Sequence, residues 1–477
     1  MQLTNHKTKI VATIGPASDS QEMIERLIRA GVDIARLNFS HGDFAGHAER
    51  IARVRAAEKV TGKRVAILVD LPGPKIRIGE IAPEPIWLHP GDLYTLTTDE
   101  IVGDERRVFV SFDRLPEVVK PGDRLFLNDG MVQLAVERIV GGEVQCKTLI
   151  GGELRSHKGL NLPGIDLGIS AFTRHDRACL DFALEHGVDA IGQSFVETAA
   201  DIEAVRAAAT LPGKNPFIIA KIERSRALEH FDEILQSADG IMIARGDLGV
   251  EVPIEEIAVT QKNLIAKAVM SGKPVITATQ MLESMVSSRL PTRAEATDVA
   301  NAILDGTDCV MLSAESAMGK YPEESVAMLG KLAAVTEAHR RSRARPGELR
   351  ERNPSDTDPE SIASLVEYAL ETVPCAAVFV PTHTGKTARM ISRFKPQVWV
   401  AAISHDPSVC QALNFSYGVY PAEIAAEPDN WQEFITRWLQ EHEVPGSIAM
   451  LTTGPSERNP NANYRIEFMR VGRGPAG

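Results

Sequence analysis

Polar and charged residues follow short apolar runs at several points in the first two thirds of the chain. Asp70 ends the run "RVAILVD", and Arg36 lies within "RLNFSHG", with further polar residues behind it. A single charge at such a place is usually a solvated loop residue, a turn former or a helix cap. A functional site is therefore indicated by the repetition of such residues after several runs, and not by any one of them. The other members are Asn38, Ser40, His41, Lys75, Arg77, Lys221, Glu223, Arg245, Gly246, Asp247, Thr279, Ser313 and Glu315.

Glu223 and Asp247 are the candidate ligands of a divalent cation. Each follows an apolar run, and the two runs are successive in the chain. Carboxylate oxygens suit Mg2+ or Mn2+, which keep waters and a phosphate as their other ligands. Arg36 and Lys221 supply positive charge around that cation. This combination indicates phosphoryl transfer, in which catalysis is mostly positioning and charge stabilisation.

Eight short, β-branched apolar runs must position these residues. Helical spacing separates them, as in "SQEMIERLIRAG", which ends in a glycine suited to a helix C-cap. Alternating strands and helices indicate a parallel sheet. Eight such units predict a TIM (β/α)8 barrel. An open doubly wound sheet is less favoured, because no G-x-G-x-x-G motif follows the first strand. In a barrel the C-terminal strand ends meet at one rim, where these polar residues fall. The runs are "KIVATIG", "IARLNF", "RVAILVD", "AIGQSF", "FIIAKI", "GIMIAR", "PVITAT" and "CVMLS".

Two further regions differ in texture. Between the third and fourth strands, about a hundred residues alternate apolar and polar positions between "NDG" and "GG" turns, which predicts a small antiparallel β domain inserted as a lid at the active-site end. The polar, proline-bearing stretch 339–361 predicts a linker, and strand and helix patterns alternate again beyond it. We therefore predict an α/β fold: a TIM barrel at 1–71 and 169–344, a small β-barrel lid at 72–168, and a C-terminal α/β regulatory domain at 345–477.

The composition excludes several classes of protein. The chain has 477 residues, 44% of them apolar, so it can bury large cores. A formal net charge of -12 speaks against a nucleic-acid-binding surface. The 5 cysteines form no zinc or disulfide pattern and are expected to be buried, reduced thiols. We predict no membrane segment and a cytoplasmic protein, because the chain shows neither an apolar leader nor a run of about 18 apolar residues.

Several longer motifs occur along the chain, in the order "TKIVATIGPAS", "RLNFSHG", "DLPGPKIRIG", "KGLNLPG", "AKIE", "ARGDLGVE", "TATQMLESM" and "DVANAILDGTDCVMLSAES". These motifs resemble those of pyruvate kinases and occur in the order expected for that family. The likeness covers the barrel and the lid and extends more weakly through the third domain. The resemblance implies transfer of the phosphoryl group of phosphoenolpyruvate to ADP, giving pyruvate and ATP in the last step of glycolysis, with Mg2+ or Mn2+ as cofactor.

The resemblance also implies roles for individual residues. Arg36 and Lys221 would hold the transferring phosphoryl group, and Lys221 would stabilise the enolate oxygen. Glu223 and Asp247 match the metal ligands. Thr279 matches the place where the enolate carbon is protonated, through a water relay because a hydroxyl is a poor acid. The predicted substrate-binding groups also include Gly246, Asp247 and Ser313, and the predicted nucleotide-binding residues are Asn38, Ser40, His41, Arg77 and Lys158.

Lys75 departs from the pattern of many family members. Those carry a threonine in place of Leu71 and a glutamate in place of Lys75, together with a K+ ion held at the positions of Asn38, Ser40 and Asp70. A tethered ammonium can place its charge where K+ would otherwise sit. We therefore predict a K+-independent enzyme with Lys75 among its catalytic residues; the alternative is that this side chain points to solvent. A second departure, "SAES" in place of "SGET" after the eighth strand, predicts little consequence.

The C-terminal domain contains a candidate effector site in "PTHTGKTAR", where hydroxyls, a glycine and a lysine precede a helix. Its residues are Thr382, Thr384, Gly385, Lys386 and Thr387. By resemblance, a sugar phosphate or a nucleotide would bind there and regulate a homotetramer. The alternative is that Thr382 or Thr384 merely caps the helix.

Two other functions stay open from the sequence. Another barrel enzyme that uses phosphoenolpyruvate, such as a dikinase-type domain, would need a phosphohistidine partner and would lack the lid and "KGLNLPG". A metabolite sensor without catalysis would keep the fold and bind ligand only. The intact set of Lys221, Glu223, Asp247 and Thr279 disfavours the sensor.

Overall fold

The computed structural model describes residues 3–209, 215–340, 358–454 and 462–471. Helix α1 shows how the sequence directs the barrel units. Ser20 Oγ accepts a hydrogen bond from Met23 N, Gly31 ends the helix with a φ of 132°, and the buried face packs against the strands. The elements up to the third strand are β1 (Lys9–Thr13), α1 (Gln21–Ala30), β2 (Val32–Asn38), α2 (Phe44–Thr61) and β3 (Ala66–Asp70).

A β-rich insert follows β3. Six of its strands form one sheet in the order β11-β7-β8-β9-β5-β6, and β4 and β10 form a second. Apolar side chains such as Tyr94, Leu125 and Leu134 give the insert its own hydrophobic core. Its elements are β4 (Ile86–Leu88), β5 (Leu93–Thr97), β6 (Arg107–Phe109), α3 (Leu115–Val118), β7 (Arg124–Leu127), β8 (Val132–Val140), β9 (Glu143–Ile150), β10 (Gly152–Leu154) and β11 (Leu160–Asn161).

The chain then returns to the barrel and completes it with five strands. The first part of this run comprises α4 (Arg174–Glu185), β12 (Ala190–Gln193), α5 (Ala199–Ala208), β13 (Phe217–Ile222), α6 (Ser225–Glu229), α7 (Phe231–Ser237), β14 (Gly240–Ala244) and α8 (Arg245–Glu251). The second part comprises α9 (Ile257–Met270), β15 (Val275–Ala278), α10 (Arg293–Asp305), β16 (Cys309–Leu312), α11 (Ala314–Ala317) and α12 (Pro322–Ala338), with 3-10 turns at Ile254–Glu256 and Glu283–Val286.

Eight parallel strands close into a barrel in the order β1-β16-β15-β14-β13-β12-β3-β2. Its interior is filled by apolar side chains such as Val11, Ile34 and Met242, and a larger apolar layer lies between the strands and the surrounding helices. The predicted (β/α)8 barrel is confirmed. All eight strands therefore deliver their C-terminal ends to one rim.

The last part of the chain forms an α/β unit on a separate sheet. Four strands are parallel and β21 is antiparallel, in the order β19-β18-β17-β20-β21. Apolar clusters cover both faces of this sheet. Its elements are α13 (Asp358–Thr372), β17 (Ala377–Pro381), α14 (Lys386–Ser392), β18 (Trp399–Ser404), α15 (Pro407–Leu413), β19 (Val419–Glu423), α16 (Trp431–Glu441), β20 (Ile448–Thr453) and β21 (Arg465–Arg470).

Two details of the prediction need correction. The insert is not purely antiparallel, because β5 and β6 pair in parallel. Helix α13 begins at Asp358, inside the predicted linker 339–361. The charged residues and proline of that stretch favoured a linker, although its end belongs to an amphipathic helix. The central part of that linker, 341–357, lies outside the described residues, as does the predicted boundary at 344/345. The domain limits at 71/72 and 168/169 stay predictions.

The described parts of the chain contain no helix that is both long enough and apolar enough to cross a membrane. All five cysteines are described, and each is buried and free. Their burial agrees with the expectation of structural thiols.

Candidate active site

Asp70, the last residue of β3, lies at the centre of the predicted site. Its carboxylate is 1% exposed, and its Oδ2 atom accepts hydrogen bonds from Arg36 Nε at 3.1 Å and Nη2 at 2.9 Å. Burial opposes the charge of Asp70, but Arg36 and Lys221 outweigh it and hold its pKa below the usual range. Gly192 on the neighbouring strand leaves room for this carboxylate, because a Cβ there would lie 2.6 Å from Oδ1.

Lys221, on β13, is a buried cation with three polar partners. Its Nζ atom donates to Ser194 Oγ at 2.7 Å and lies 3.1 Å from Asp70 Oδ2 and 2.8 Å from Glu223 Oε1. Burial alone would lower the pKa of Lys221, but the two carboxylates raise it above its usual value. The site therefore holds a fixed ammonium, suited to an oxygen that gains negative charge during a reaction.

Glu223 and Asp247 form the candidate metal site at the ends of β13 and β14. Glu223 Oε2 accepts a hydrogen bond from Phe195 N at 2.9 Å. Burial raises the pKa of Glu223, and the charge of Asp247 adds to that rise against the effect of Lys221. A divalent cation between the two carboxylates would relieve this repulsion, and their hard oxygens fit Mg2+. No cluster of three or more His, Cys, Asp or Glu side chains that could hold a metal occurs in the described parts of the chain.

Thr279 directly follows β15 and adopts a left-handed conformation, with a φ of 67°. Its hydroxyl accepts a hydrogen bond from Gly246 N at 2.8 Å and donates to Ala278 O at 2.6 Å. A β-branched residue with positive φ is costly, so the surroundings must hold it there. Arg245 does so by donating to Thr279 O at 2.7 Å, while its other terminal nitrogen pairs with Asp298 at 2.6 Å.

Ser313 follows β16 at the same rim. Its backbone N donates to Glu315 Oε2 at 2.7 Å, and Leu282 N donates to Glu315 Oε1 at 3.0 Å. Glu315 is fully buried and thus ties the loops after β15 and β16 together. Ser313 therefore lies next to the Thr279 loop, as expected for a substrate-binding position.

The predicted nucleotide residues lie where β2 ends and the insert begins. Asn38 Oδ1 accepts a hydrogen bond from Ser40 N at 3.1 Å. Burial lowers the pKa of His41, and the positive charges of Arg77, Lys75 and Arg36 lower it further. Hydrogen bonds link the segments that carry the other two predicted nucleotide residues, Arg77 and Lys158. Arg77 Nη1 donates to His157 O at 3.0 Å, and Ile78 N donates to Lys158 O at 2.9 Å.

Lys75 lies between the insert and the candidate metal site. Its Nζ atom is 3.7 Å from Asp247 Oδ1, and its side chain is 34% exposed. A Cβ at Gly159 would meet Lys75 Cε at 3.6 Å, so the lysine stem runs along the insert. The ion pair of Lys75 is thus with a predicted Mg2+ ligand, whereas Asp70 pairs with Arg36 and Lys221.

The effector segment forms the start of α14. Thr382 Oγ1 accepts a hydrogen bond from Gly385 N at 2.9 Å, and Thr384 Oγ1 accepts one from Lys386 N at 3.4 Å. Both bonds are of the kind expected if these hydroxyls cap the helix. Thr382, Thr384 and Lys386 border a cavity of about 190 Å³ at the C-terminal ends of β17 and β20. Thr387 lines the same cavity. The hydroxyls therefore cap the helix and also face an open space.

Sequence reasoning assigned no role to Ser194, Phe195 or Arg245. Ser194 and Phe195 follow the fourth strand in "AIGQSF", which, like the first strand, contributed no candidate residue to the predicted rim. Phe195 adopts a φ of 57°, which turns its backbone N towards Glu223. The rule that strand ends form the rim also identifies Ser194, because its hydroxyl directly follows the fourth strand.

Comparisons with known proteins identify the family. The family model for the pyruvate kinase barrel domain matches residues 5–326, and that for the pyruvate kinase alpha/beta domain matches residues 360–463. The chain is 51% identical to a pyruvate kinase of Thermococcus litoralis over 88% of this chain and 89% of that protein. It is 41% identical to human pyruvate kinase PKLR, over 91% of this chain and 78% of that protein. A crystal structure of a pyruvate kinase from Cryptosporidium parvum superposes with a TM-score of 0.91 and 35% identity, covering 98% of this chain and 97% of that one. The chain belongs to the pyruvate kinase family of phosphotransferases.

Proposed function

We propose that this protein transfers the phosphoryl group of phosphoenolpyruvate to ADP and so forms pyruvate and ATP. The observation that most supports this proposal is the buried group formed by Arg36, Lys221 and Asp70, beside the carboxylates of Glu223 and Asp247. One face of the assembly offers positive charge to a phosphoryl group, and the other offers oxygen ligands to a cation. Such an arrangement suits phosphoryl transfer, which depends on positioning and charge.

Lys221 and Arg36 act on the phosphoryl group and the enolate. In the transfer, the bond between phosphorus and the enol oxygen breaks, and a new bond forms to a β-phosphate oxygen of ADP. The bridging oxygen leaves as an enolate, and the ammonium of Lys221 stabilises that charge. Because Lys221 is held by Asp70 and Glu223, it needs little reorganisation when the charge develops.

Thr279 and its neighbours orient the rest of the substrate. The substrate carboxylate binds to the backbone N–H groups of Gly246 and Asp247 and to the Thr279 hydroxyl, next to Ser313. In this structure Gly246 N donates to Thr279 Oγ1, so substrate binding would exchange that bond. A water relay ending at Thr279 delivers the proton that converts the enolate to pyruvate.

Glu223 and Asp247 would hold the Mg2+ that the family uses. A cation held there would supply positive charge to offset the negative charge of the phosphate groups. Glu223 is kept in place for this by Phe195 N, and Asp247 by its position in the first turn of α8. The nucleotide phosphates then meet Arg77 and Lys158, with Asn38, Ser40 and His41 beside them.

Lys75 makes the reaction independent of K+. Its ammonium is already tethered 3.7 Å from Asp247, so a monovalent charge is built into the site. The prediction is tested by assaying the wild-type protein in Tris, Na+ and K+ buffers. Equal rates are expected, and strong activation by K+ would contradict it.

The C-terminal cavity is the proposed effector site of a homotetrameric enzyme. It lies between β17 and β20, where the strand order of the parallel sheet reverses, which is where ligands bind in open α/β sheets. Thr382, Thr384, Gly385, Lys386 and Thr387 would meet a phosphate of a sugar phosphate or a nucleotide. Rate measurements with each class of effector, together with a Thr384→Ala variant, test this assignment.

A coupled assay for pyruvate with ADP as the sole acceptor tests the main proposal. We expect turnover by the wild type and a loss of about 10²- to 10³-fold in kcat for Lys221→Met, since a fixed charge at the reacting oxygen is removed. Lys59→Met, on the exposed face of α2, is the matched control and should retain full activity. Turnover that needs a phosphohistidine partner would favour the dikinase alternative, and ligand binding without turnover would favour the sensor.

A further inference from the structure

Segment 162–166 joins the insert to the second half of the barrel. The side chain of Leu162 is fully buried in the hydrophobic core of the insert, and Ile165 packs against that core. The backbone of the same segment is held by barrel residues that directly follow Glu223. The segment is therefore a joint, with its apolar side chains in one unit and its polar backbone in the other.

Three consecutive barrel residues, Arg224, Ser225 and Arg226, contact this joint. Arg224 Nη2 donates to Leu162 O at 3.3 Å and to Ile165 O at 3.1 Å. Ser225 Oγ accepts from Gly164 N at 3.1 Å. Arg226 Nη1 lies 2.6 Å from the carboxylate of Asp166. Each of the three residues thus holds a different point of the segment.

We call Arg224, Ser225 and Arg226 the clamp. Carboxylates of the barrel hold these clamp residues in place. Arg224 is 4% exposed, and its Nε atom lies 3.5 Å from Glu197 Oε1 and 3.5 Å from Glu251 Oε2. Ser225 N and Oγ both donate to Glu251 Oε2 at 3.2 Å. Glu251 lies on α8 four residues after Asp247, on the same face of that helix. Both candidate metal ligands are therefore directly linked to the clamp, one by sequence and one through α8.

We propose that Arg224, Ser225 and Arg226 are positioning residues for the nucleotide half of the active site. They fix segment 162–166, and with it the edge of the insert that carries Lys158, over the metal site. Phosphoenolpyruvate is held by barrel residues, whereas the nucleotide also depends on the insert. A weakened clamp should therefore impair ADP binding more than phosphoenolpyruvate binding. The inference rests on the proposed phosphoryl transfer.

Steady-state kinetics of Arg224→Lys and Asp166→Asn test the inference. A lysine keeps the charge but cannot bond two carbonyls in a fork, so we expect the KM for ADP to rise about tenfold with the KM for phosphoenolpyruvate within about twofold. Asp166→Asn breaks the ion pair with Arg226 by a change on the insert side, away from Glu223. Because this pair is partly exposed, we expect the KM for ADP to rise only about two- to fivefold. The control is Arg155→Gln, whose ion pairs with Glu84 and Glu153 stay within the insert.

Calorimetric titration with ADP and with phosphoenolpyruvate gives a second readout that does not need turnover. The two variants should weaken ADP binding alone, and the control should change neither. Unchanged ADP affinity in both variants, or an equal loss for both ligands, would overturn the positioning role. Should Arg224→Lys fail to fold, Asp166→Asn decides alone. A wild type without turnover would contradict the proposed function instead, so the two failures are distinguishable.

Discussion

A single oxygen, Asp70 Oδ2, lies 3.1 Å from Lys221 Nζ and accepts two hydrogen bonds from Arg36. One carboxylate thus fixes the spacing of the two cations that would hold the phosphoryl group. It also offsets their mutual repulsion inside the barrel, where a buried like-charge pair would otherwise be costly. Asp70 has no proton to give, because its own pKa is lowered by the same cations.

Asp70→Asn should therefore reduce activity without removing a group that contacts the substrate. We expect kcat to fall about 10²-fold, since both cations lose their orientation. Because Asp70 raises the pKa of Lys221, its loss should lower that pKa, and the alkaline limb of the pH–rate profile should move to lower pH. Asp239→Asn, at the opposite end of the barrel, is the control. An unchanged alkaline limb would show that Asp70 does not set the charge of Lys221.

Arg245 holds the strained Thr279 loop through two carbonyl oxygens, so its replacement should act through Thr279. Arg245→Lys cannot keep both bonds, and we expect kcat to fall about 10- to 100-fold, the cost of one lost charged hydrogen bond. Asp298→Asn removes the ion pair of Arg245 but keeps its donors to the loop, and it should cost much less. Equal losses in the two variants would assign the effect to the ion pair rather than to the loop.

The barrel and the rim residues could be predicted because both follow from local patterns. A strand buried on both faces reads as a continuous apolar run, and the topology then brings every strand end to one rim. The parallel pairing of β5 with β6 could not be predicted, because it depends on contacts between distant parts of the insert. The positive φ angles of Phe195 and Thr279 are likewise imposed by neighbours, since neither residue type favours them.

The direction of a flexible side chain was equally beyond sequence reasoning. Lys75 was singled out by its type and position, yet its pairing with Asp247 depends on how the insert folds back over the rim. The sequence analysis assigned no role to residues 224–226, because their contacts with segment 162–166 join parts of the chain that are about 60 residues apart. Sequence identifies which groups reach the rim, and the fold decides which groups pair.

Lys75→Glu should convert the enzyme to K+ dependence. A second carboxylate beside Asp247 would add negative charge where an ammonium now stands, so activity in Tris or Na+ buffer should fall about 10- to 100-fold. Added K+ should restore part of it by occupying the new oxygen site. Lys75→Gln is the control, because it removes the ammonium without supplying a carboxylate, and K+ should rescue it poorly. Full activity of Lys75→Glu without K+ would contradict the proposed role.

Glu367, on α13, predicts a pH-dependent stability of the C-terminal domain. Burial and the nearby charge of Glu371 raise its pKa from 4.5 to about 7. An acid whose pKa is raised by folding loses stability as pH rises, because between pH 4.5 and about 7 the unfolded chain gives up the proton first. Above that range the cost is constant, and burial of the carboxylate then destabilises the fold by about 1 to 2 kcal/mol after allowance for its partial exposure.

Glu367→Gln should remove this cost. The variant is expected to unfold several degrees above the wild type at pH 8, while the two should have nearly equal thermal midpoints at pH 4.5, where the wild-type side chain is already protonated. Glu371→Gln is the control: it removes the repulsion but leaves the buried carboxylate of Glu367, so its gain at pH 8 should be smaller. Thermal midpoints measured across this pH range decide the matter. A constant difference between Glu367→Gln and wild type at all pH values would show that folding does not shift the pKa of Glu367, because only a pKa that differs between the folded and unfolded chain makes stability depend on pH.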